Sequence, residues 1–281
     1  MKIKNLANID LMELTECFNA AFADYSIPMQ MTPSQLQDRF YAGGISYDLS
    51  FGAFDSDDRL VAFVMHCTDH PEQPTTVFNV GTGVIPSYRG QRLVPRIYTF
   101  AAPHLKETGI KTKMLEVIQT NTKAIKAYQS AGFRIEKELT CLKGKIKSVS
   151  KKEASIIYAS GRAYQTLNNS LFWNYLPAWE NSTPCILRNV EAYTFYFVQD
   201  PEDVCGYAVV HSTTGVIKQF GVLPEKRGKG FGQALFHSIG QDHDEVKILN
   251  IDQRDTSTLA FLEKNGLTPF VTQYEMHHTV F

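Results

Sequence analysis

Apolar and polar residues follow two periods along the chain, and their order recurs. Leu11, Leu14, Phe18, Ala21 and Phe22 stand at helical spacing behind Asp10, whose carboxylate can accept from the first free N–H groups of a helix. Thr32 followed by Pro33 marks a second helix start, with Leu36 and Phe40 on its apolar side. Strand-like stretches cover residues 2–4, 50–54, 60–67 and 76–84. From Gly83 the order becomes strand end, basic glycine-containing turn, helix, strand and a short helix closing on Gly132. It then repeats. GVIPSYRGQRLVPRIYTF (Gly83 to Phe100) is matched by GVLPEKRGKGFGQALFHS (Gly221 to Ser238), and NTKAIKAYQSAGF (Asn121 to Phe133) by DTSTLAFLEKNGL (Asp255 to Leu267). Between them KTKMLEVIQ is matched by EVKILNID. The copies lie 138 residues apart at the turn and 134 apart at Gly132 and Gly266. A repeat at this distance predicts one fold used twice.

The two halves open differently. Ahead of the second copy, strands are predicted over 186–188, 193–198, 204–211 and 215–222. The segment from Ala154 to Ser182 has no clear two-helix pattern. It holds both tryptophans, Trp173 and Trp179, and reads either as an aromatic strap packed between the domains or as the wall of a ligand pocket. Lys143 to Glu153 carries five lysines with serines and no apolar period. A solvated linker is therefore expected at 145–152, between domains 1–144 and 153–281. The order βααβββαβαβ in the first half predicts an α/β domain, a mixed sheet with helices on both faces. Pro95 falls in the first turn of its helix, where a missing N–H costs little, whereas Pro103 predicts a kink or an end.

Composition narrows the function classes. Lys plus Arg number 28 and Asp plus Glu 29, so no cationic excess exists to neutralise a nucleic-acid backbone. No apolar run approaches the roughly 18 residues of a membrane span. Asp10, Glu13 and Glu16 interrupt the start where a signal peptide needs an apolar core. A soluble, cytoplasmic protein without nucleic-acid or membrane partners is expected; oligomeric state is left open. The five cysteines are widely spaced, none in a C-x-x-C pair, and the eight histidines lack H-x-x-x-H spacing. No metal and no disulfide framework are expected.

The chemistry lies in the repeated turn. A helix N-terminus exposes about four unpaired N–H groups and roughly half a positive charge. In RGKGFG (Arg227 to Gly232) glycines let a diphosphate approach the backbone, and Arg227 and Lys229 add charge. No G-K-[ST] follows, so a Walker-type loop does not fit.

Strand, [QR]-x-x-G-x-[GA], helix, strand and then N-x-x-A-x-x-x-Y-x-x-x-G-F resembles the GNAT superfamily of N-acetyltransferases. The likeness covers nearly all of 1–144 and roughly 184–277. FADYSIPMQMT with LTCLKG in the first half, and WENS with QYEM in the second, are similar to a bacterial two-domain group. The resemblance implies that acetyl-CoA, as co-substrate, lays its pyrophosphate on the turn amides and its pantetheine arm along the preceding strand. An amine, on a small molecule or a peptide, then attacks the thioester directly. The positions implied for acetyl-CoA are Val84, Ile85, Arg89, Gly90, Gln91, Arg92, Leu93, Val94 and Asn121. In the second copy they are Val222, Leu223, Arg227, Gly228, Lys229, Gly230, Phe231 and Gly232.

The copies depart from the pattern in complementary ways. In the first, Arg92 and Val94 replace glycines, which costs room, while Asn121, Ala124, Tyr128, Gly132 and Phe133 are intact. The resemblance makes Tyr128 the acid that protonates the departing thiolate, a sensible role for a phenol of pKa about 10. The second copy has the better glycine turn but Leu262 at the tyrosine position and Asp255 where Asn121 stands. Leucine cannot donate a proton, so that half reads as a CoA-binding module with reduced or absent chemistry, unless water or another side chain replaces the phenol. Glu116 is the candidate general base; strand alternation sets it on one face with Met114 and Ile118, and a structural ion pair is the alternative. Asp24 and Tyr25 occupy the loop where the family contacts its acceptor, or are solvated loop residues. His66 reads as a surface or core histidine. Two functions remain: an acetyl-CoA-dependent N-acetyltransferase acting on a primary amine, and a non-catalytic acyl-CoA sensor or scaffold.

Overall fold

A computed structural model of the chain describes residues 1–24, 29–70, 72–147, 154–201 and 203–280. Asp10 accepts from the N–H groups of Met12 and Glu13 and starts α1 (Leu11–Ala21). Thr32 and Gln35 close a reciprocal capping box on α2 (Pro33–Gly43). Caps of this kind stabilise a helix by about 1 kcal/mol. Around them the first run comprises β1 (Lys2–Asn5), β2 (Ile45–Phe54), β3 (Leu60–Thr68), β4 (Thr76–Val84), α3 (Leu93–Glu107), β5 (Thr112–Ile118), α4 (Thr122–Ser130) and β6 (Arg134–Gly144). The second comprises β7 (Ser155–Ala159), α5 (Gly161–Thr166), α6 (Thr183–Leu187), β8 (Tyr193–Gln199), β9 (Val204–His211), β10 (Val216–Val222), α7 (Phe231–Asp242), β11 (Val246–Asp252), α8 (Thr256–Lys264) and β12 (Thr268–Thr279).

Two compact units result: Met1–Glu136 with Tyr274–Phe281, and Lys137–Gln273. These bounds cut β6 and β12, each of which the sequence reading kept whole within its own half. In unit 1 the strands run β1-β2-β3-β4-β5-β12; in unit 2 they run β6-β11-β10-β9-β8-β7. The mixed sheet expected from the sequence is present, with β4–β5 and β10–β11 parallel beside antiparallel neighbours. Phe51, Val64, Ile97, Leu115, Phe133 and Met276 belong to the core of unit 1. Val198, Ile217, Leu235, Phe236, Ile248 and Leu262 belong to that of unit 2.

Three local expectations change. Ile186–Arg188 is no strand: Pro184 starts α6, and Cys185 and Ile186 are buried from one helical turn. A short apolar run cannot by itself separate strand from helix. The segment left without assignment supplies a strand, β7, paired antiparallel to β8. Finally, of the kink or end expected at Pro103 the end does not occur: α3 continues to Glu107, with Ala101 and Leu105 buried on either side of the proline.

Candidate active site

The site begins with a fault in the sheet, made twice. β4 pairs with β3 up to Val84, but its register slips at Val80, and its pairing with β5 covers only Thr76 to Asn79. β10 pairs with β9 up to Val222, slips at Lys218, and pairs with β11 only at Val216 and Ile217. Val80 and Lys218 are the same position in the repeat, 138 residues apart. Past this bulge each strand leaves its parallel partner, which opens the sheet ahead of the turn.

Both turns then fold alike. Gly90 (φ 79°) and Gly228 (φ 70°) are left-handed, and so are the residues that precede the helices, Arg92 (φ 55°) and Gly230 (φ 91°). Arg92 holds a conformation that costs a non-glycine residue roughly 1–2 kcal/mol. Neither α3 nor α7 has a side-chain cap, unlike α1, α2, α4, α5 and α8. Their first N–H groups therefore remain for a ligand to satisfy.

The turn arginines make contacts that the sequence reading did not foresee. Arg89 donates through Nε to the Val84 carbonyl at 3.1 Å, and through its two terminal nitrogens to the Ala21 carbonyl at 2.9 Å and to both oxygens of Asp24. Arg227 repeats this with the carbonyls of Val222 and Phe172 and the amide oxygen of Asn174. Each guanidinium ties the end of a strand to the segment beside it. Asp24 is thereby committed, its carboxyl held below the usual range by the Arg89 bonds. Tyr25 lies outside the described residues. Leu93, Val94 and Phe231 are buried in their cores, so Val94 takes no room from the turn; Gln91 and Lys229 are exposed. A Cβ on Gly232 would meet the Phe261 ring at 3.2 Å, and Ala127 stands where Phe261 does. That glycine makes room for a ring.

Unit 2 encloses a cavity of ≈ 280 Å³ along β10, the turn and α8. Trp173, Tyr175, Phe220 and Phe261 are among its walls, with Lys218 and Gly230. The tryptophan segment thus forms a pocket wall, and Trp173 Nε1 donates to Tyr207 at 2.6 Å. Of these walls only Trp173 and the turn carried a signal in the sequence; Phe220 and Phe261 look there like ordinary core residues. Ile85, Leu223 and the ends of β4 and β10 border the two turns.

The chemical groups are placed as follows. Tyr128 is the buried residue of α4, 9% exposed, its ring edge-on to Phe133 at 5.9 Å. Leu262 is wholly buried. Asn121 caps α4 by accepting from Ala124 N, and Asp255 caps α8 in the same way. Glu116 is half-buried on the face of β5 that carries Met114 and Ile118. In unit 2 that place is taken by a bulged pair, Leu249 and Asn250, the latter with φ 60° and its amide oxygen 2.7 Å from Gln273 Nε2. No carboxylate stands there. His66 is a core histidine, 1% exposed, with Nδ1 2.6 Å from the Leu49 carbonyl; burial pulls its pKa down to about 4. Lys113, which the sequence reading passed over, is 2% exposed, and burial lowers its pKa to about 8. Strand alternation with Leu115 and Val117 is the signal that would have found it. Among the described residues no group of His, Cys, Asp and Glu could hold a metal ion, the five cysteines are buried and none is in a disulfide, and no helix is long and apolar enough to cross a membrane.

Comparison with known proteins adds to this geometry. The profile of the acetyltransferase (GNAT) family matches residues 12–133. The chain is similar in structure to a tandem GNAT protein from the clavulanic acid biosynthesis pathway, with TM-score 0.71 and 12% identity over 100% of this chain and 99% of the other. It is similar also to a GCN5-related N-acetyltransferase from Sphaerobacter thermophilus, at TM-score 0.70 and 12% identity over 99% and 95%. A third, from Anabaena variabilis, gives 0.66 and 14% over 100% and 73%. At such identities these likenesses concern the fold, which is that of two GNAT-like domains in tandem. No curated protein matches the sequence.

Proposed function

We propose that the chain, whose residues 12–133 match the profile of the acetyltransferase (GNAT) family, moves an acetyl group from acetyl-CoA to a primary amine by direct attack. One observation carries the reading. In both units a strand leaves its parallel partner and runs into a left-handed turn whose helix lacks a side-chain cap. Unpaired N–H groups at a helix start suit a diphosphate, and an open strand edge suits an amide-bearing arm. Backbone amides from Gly90 to Val94, and from Gly228 to Gly232, would hold the pyrophosphate; Arg89 and Arg227 shape the turns.

Chemistry belongs to the half ending at Gly144. The amine nitrogen bonds to the acetyl carbon, the carbon–sulfur bond breaks, and Tyr128 gives its proton to sulfur. Glu116 takes the proton the amine sheds, directly or through water. Asp24 serves the acceptor side with its carboxylate held by Arg89. Removing the Tyr128 hydroxyl as Tyr128→Phe lowers turnover by roughly 10²–10⁴ at an unchanged KM for acetyl-CoA; full activity at every pH sinks the assignment. The acceptor is sought with a panel of amino sugars, polyamines, amino acids and peptides, followed by release of the CoA thiol.

A second reading is favoured by the cavity in unit 2. Its turn and walls are formed, yet Leu262 and Asn250 stand where a phenol and a carboxylate are needed. Unit 2 would then bind acyl-CoA without consuming it. Titration of CoA against the whole chain, and against Gly230→Trp, counts the sites: one lost of two supports binding in both units.

A further inference from the structure

Unit 1 contains a buried polar cluster that its duplicate does without. Lys113 on β5 lies on the same face as Leu115 and Val117, turned into the core. Its ammonium is 5.3 Å from the centroid of the Tyr98 ring and 5.7 Å from that of Phe133. Phe133 is in turn 5.0 Å from Tyr98 and 5.9 Å from Tyr128. The titratable groups facing this place are His66 from β3, Tyr98 from α3, Tyr128 from α4 and His278 from β12, with Arg134 beyond His278. None is a carboxylate, and among the described residues the Lys113 ammonium makes neither an ion pair nor a hydrogen bond, only the two ring contacts.

Two aromatic rings offset only part of the cost of burying a cation with no carboxylate beside it. Unit 2 does without such a cation. The registers pair Asn79 with Leu115 and with His66, and Ile217 with Ile248 and with Val210. By that correspondence His66, Tyr98, Lys113, Tyr128 and Phe133 become Val210, Phe236, Val246, Leu262 and Leu267. All five are buried and apolar. The lysine and the phenol are present together in one copy and absent together from the other.

We propose that the buried ammonium of Lys113 makes Tyr128 a stronger proton donor, acting across the Phe133 ring that both approach. Lys113 touches neither substrate nor cofactor; it is a positioning residue that works through Tyr128, and the inference rests on the acid role given to that phenol. In the step itself the amine nitrogen bonds to the acetyl carbon and the carbon–sulfur bond breaks. The phenol proton passes to sulfur, and the proton that Glu116 takes from the amine is released to solvent as the phenolate regains one from it. A positive charge nearby favours the transient phenolate. A unit charge about 10 Å away at an effective dielectric near 20 changes acidity roughly tenfold, of which about half on a logarithmic scale reaches the rate.

The test uses the whole chain with acetyl-CoA and the amine of the panel that gives the fastest release of CoA thiol. Native turnover should fall as pH rises through about 8, where Lys113 loses its charge. Lys113→Met should turn over roughly threefold to tenfold more slowly below that pH, show no fall there, and keep the native KM for acetyl-CoA. Its melting temperature should rise. Lys113→Val, the residue found in unit 2, guards against a packing artefact of methionine and should behave alike. Lys113→Arg should keep the faster rate and lose the fall near pH 8. A native rate and pH profile in Lys113→Met and Lys113→Val overturns the inference, as does a slower rate with the fall retained. If Tyr128→Phe is fully active, or no amine is acetylated, the acid role itself fails instead.

Discussion

His66 shows what a single buried ring does to stability. Its Nδ1 meets the Leu49 carbonyl, its Nε2 is buried without a partner among the described residues, and its pKa lies near 4. The unfolded chain binds this proton at about pH 6.5, the folded one only near 4. Stability therefore falls as pH drops from about 6.5 to about 4, by about 3 kcal/mol in all. His66→Val should flatten that slope in urea unfolding measured across the window, whatever it does to stability at neutral pH. An unchanged slope would place the loss elsewhere. Arg92 bears on the other side of legibility: the sequence marks it as a missing glycine, but its left-handed backbone shows the turn keeping its geometry at the expense of strain.

Between elements, the two halves solve one packing problem in opposite ways. The first turn of α3 carries Val94 opposite an α4 with Ala127; α7 carries Gly232 opposite an α8 with Phe261. Bulk moves from one helix to the other. Gly232→Val should drive methyl groups into the Phe261 ring and cost about 1–3 kcal/mol. Phe261→Ala added to it should recover much of that loss, since the pair then copies unit 1. A double-mutant cycle in urea measures the coupling, and strictly additive losses would refute the account. The signal was in the sequence as two aligned differences, but nothing in it tied one to the other. The α6 helix was hidden for a related reason: Cys185 and Ile186 are buried either way, and only their partners choose helix over strand.

In the whole molecule, unit 1 is completed by residues far along the chain. Met276 is fully buried in its core, His278 packs on Phe133 and beside Gly132, and Val280 N donates to the Lys111 carbonyl at 2.7 Å. Residues 1–144 expressed alone should therefore be markedly unstable. Met276→Ala in the full chain should cost about 2–5 kcal/mol, read as a shift of the unfolding midpoint. A fragment 1–144 with native-like cooperative unfolding would refute this.

The sequence by itself determined the local devices and their duplication: the caps at Asp10 and Thr32, the turns at Arg89 and Arg227, and the split of tyrosine from glycines between the copies. These depend on spacing within a few residues, which the order of residues records directly. Only the tertiary structure decided that the turn arginines hold carbonyls, that β12 divides between the units, that unit 2 is hollow along β10, and that a lysine lies buried behind Tyr128. Each of those is a contact between residues distant in the chain, and hydrophobic patterning fixes which side chains go inside without saying which of them meet.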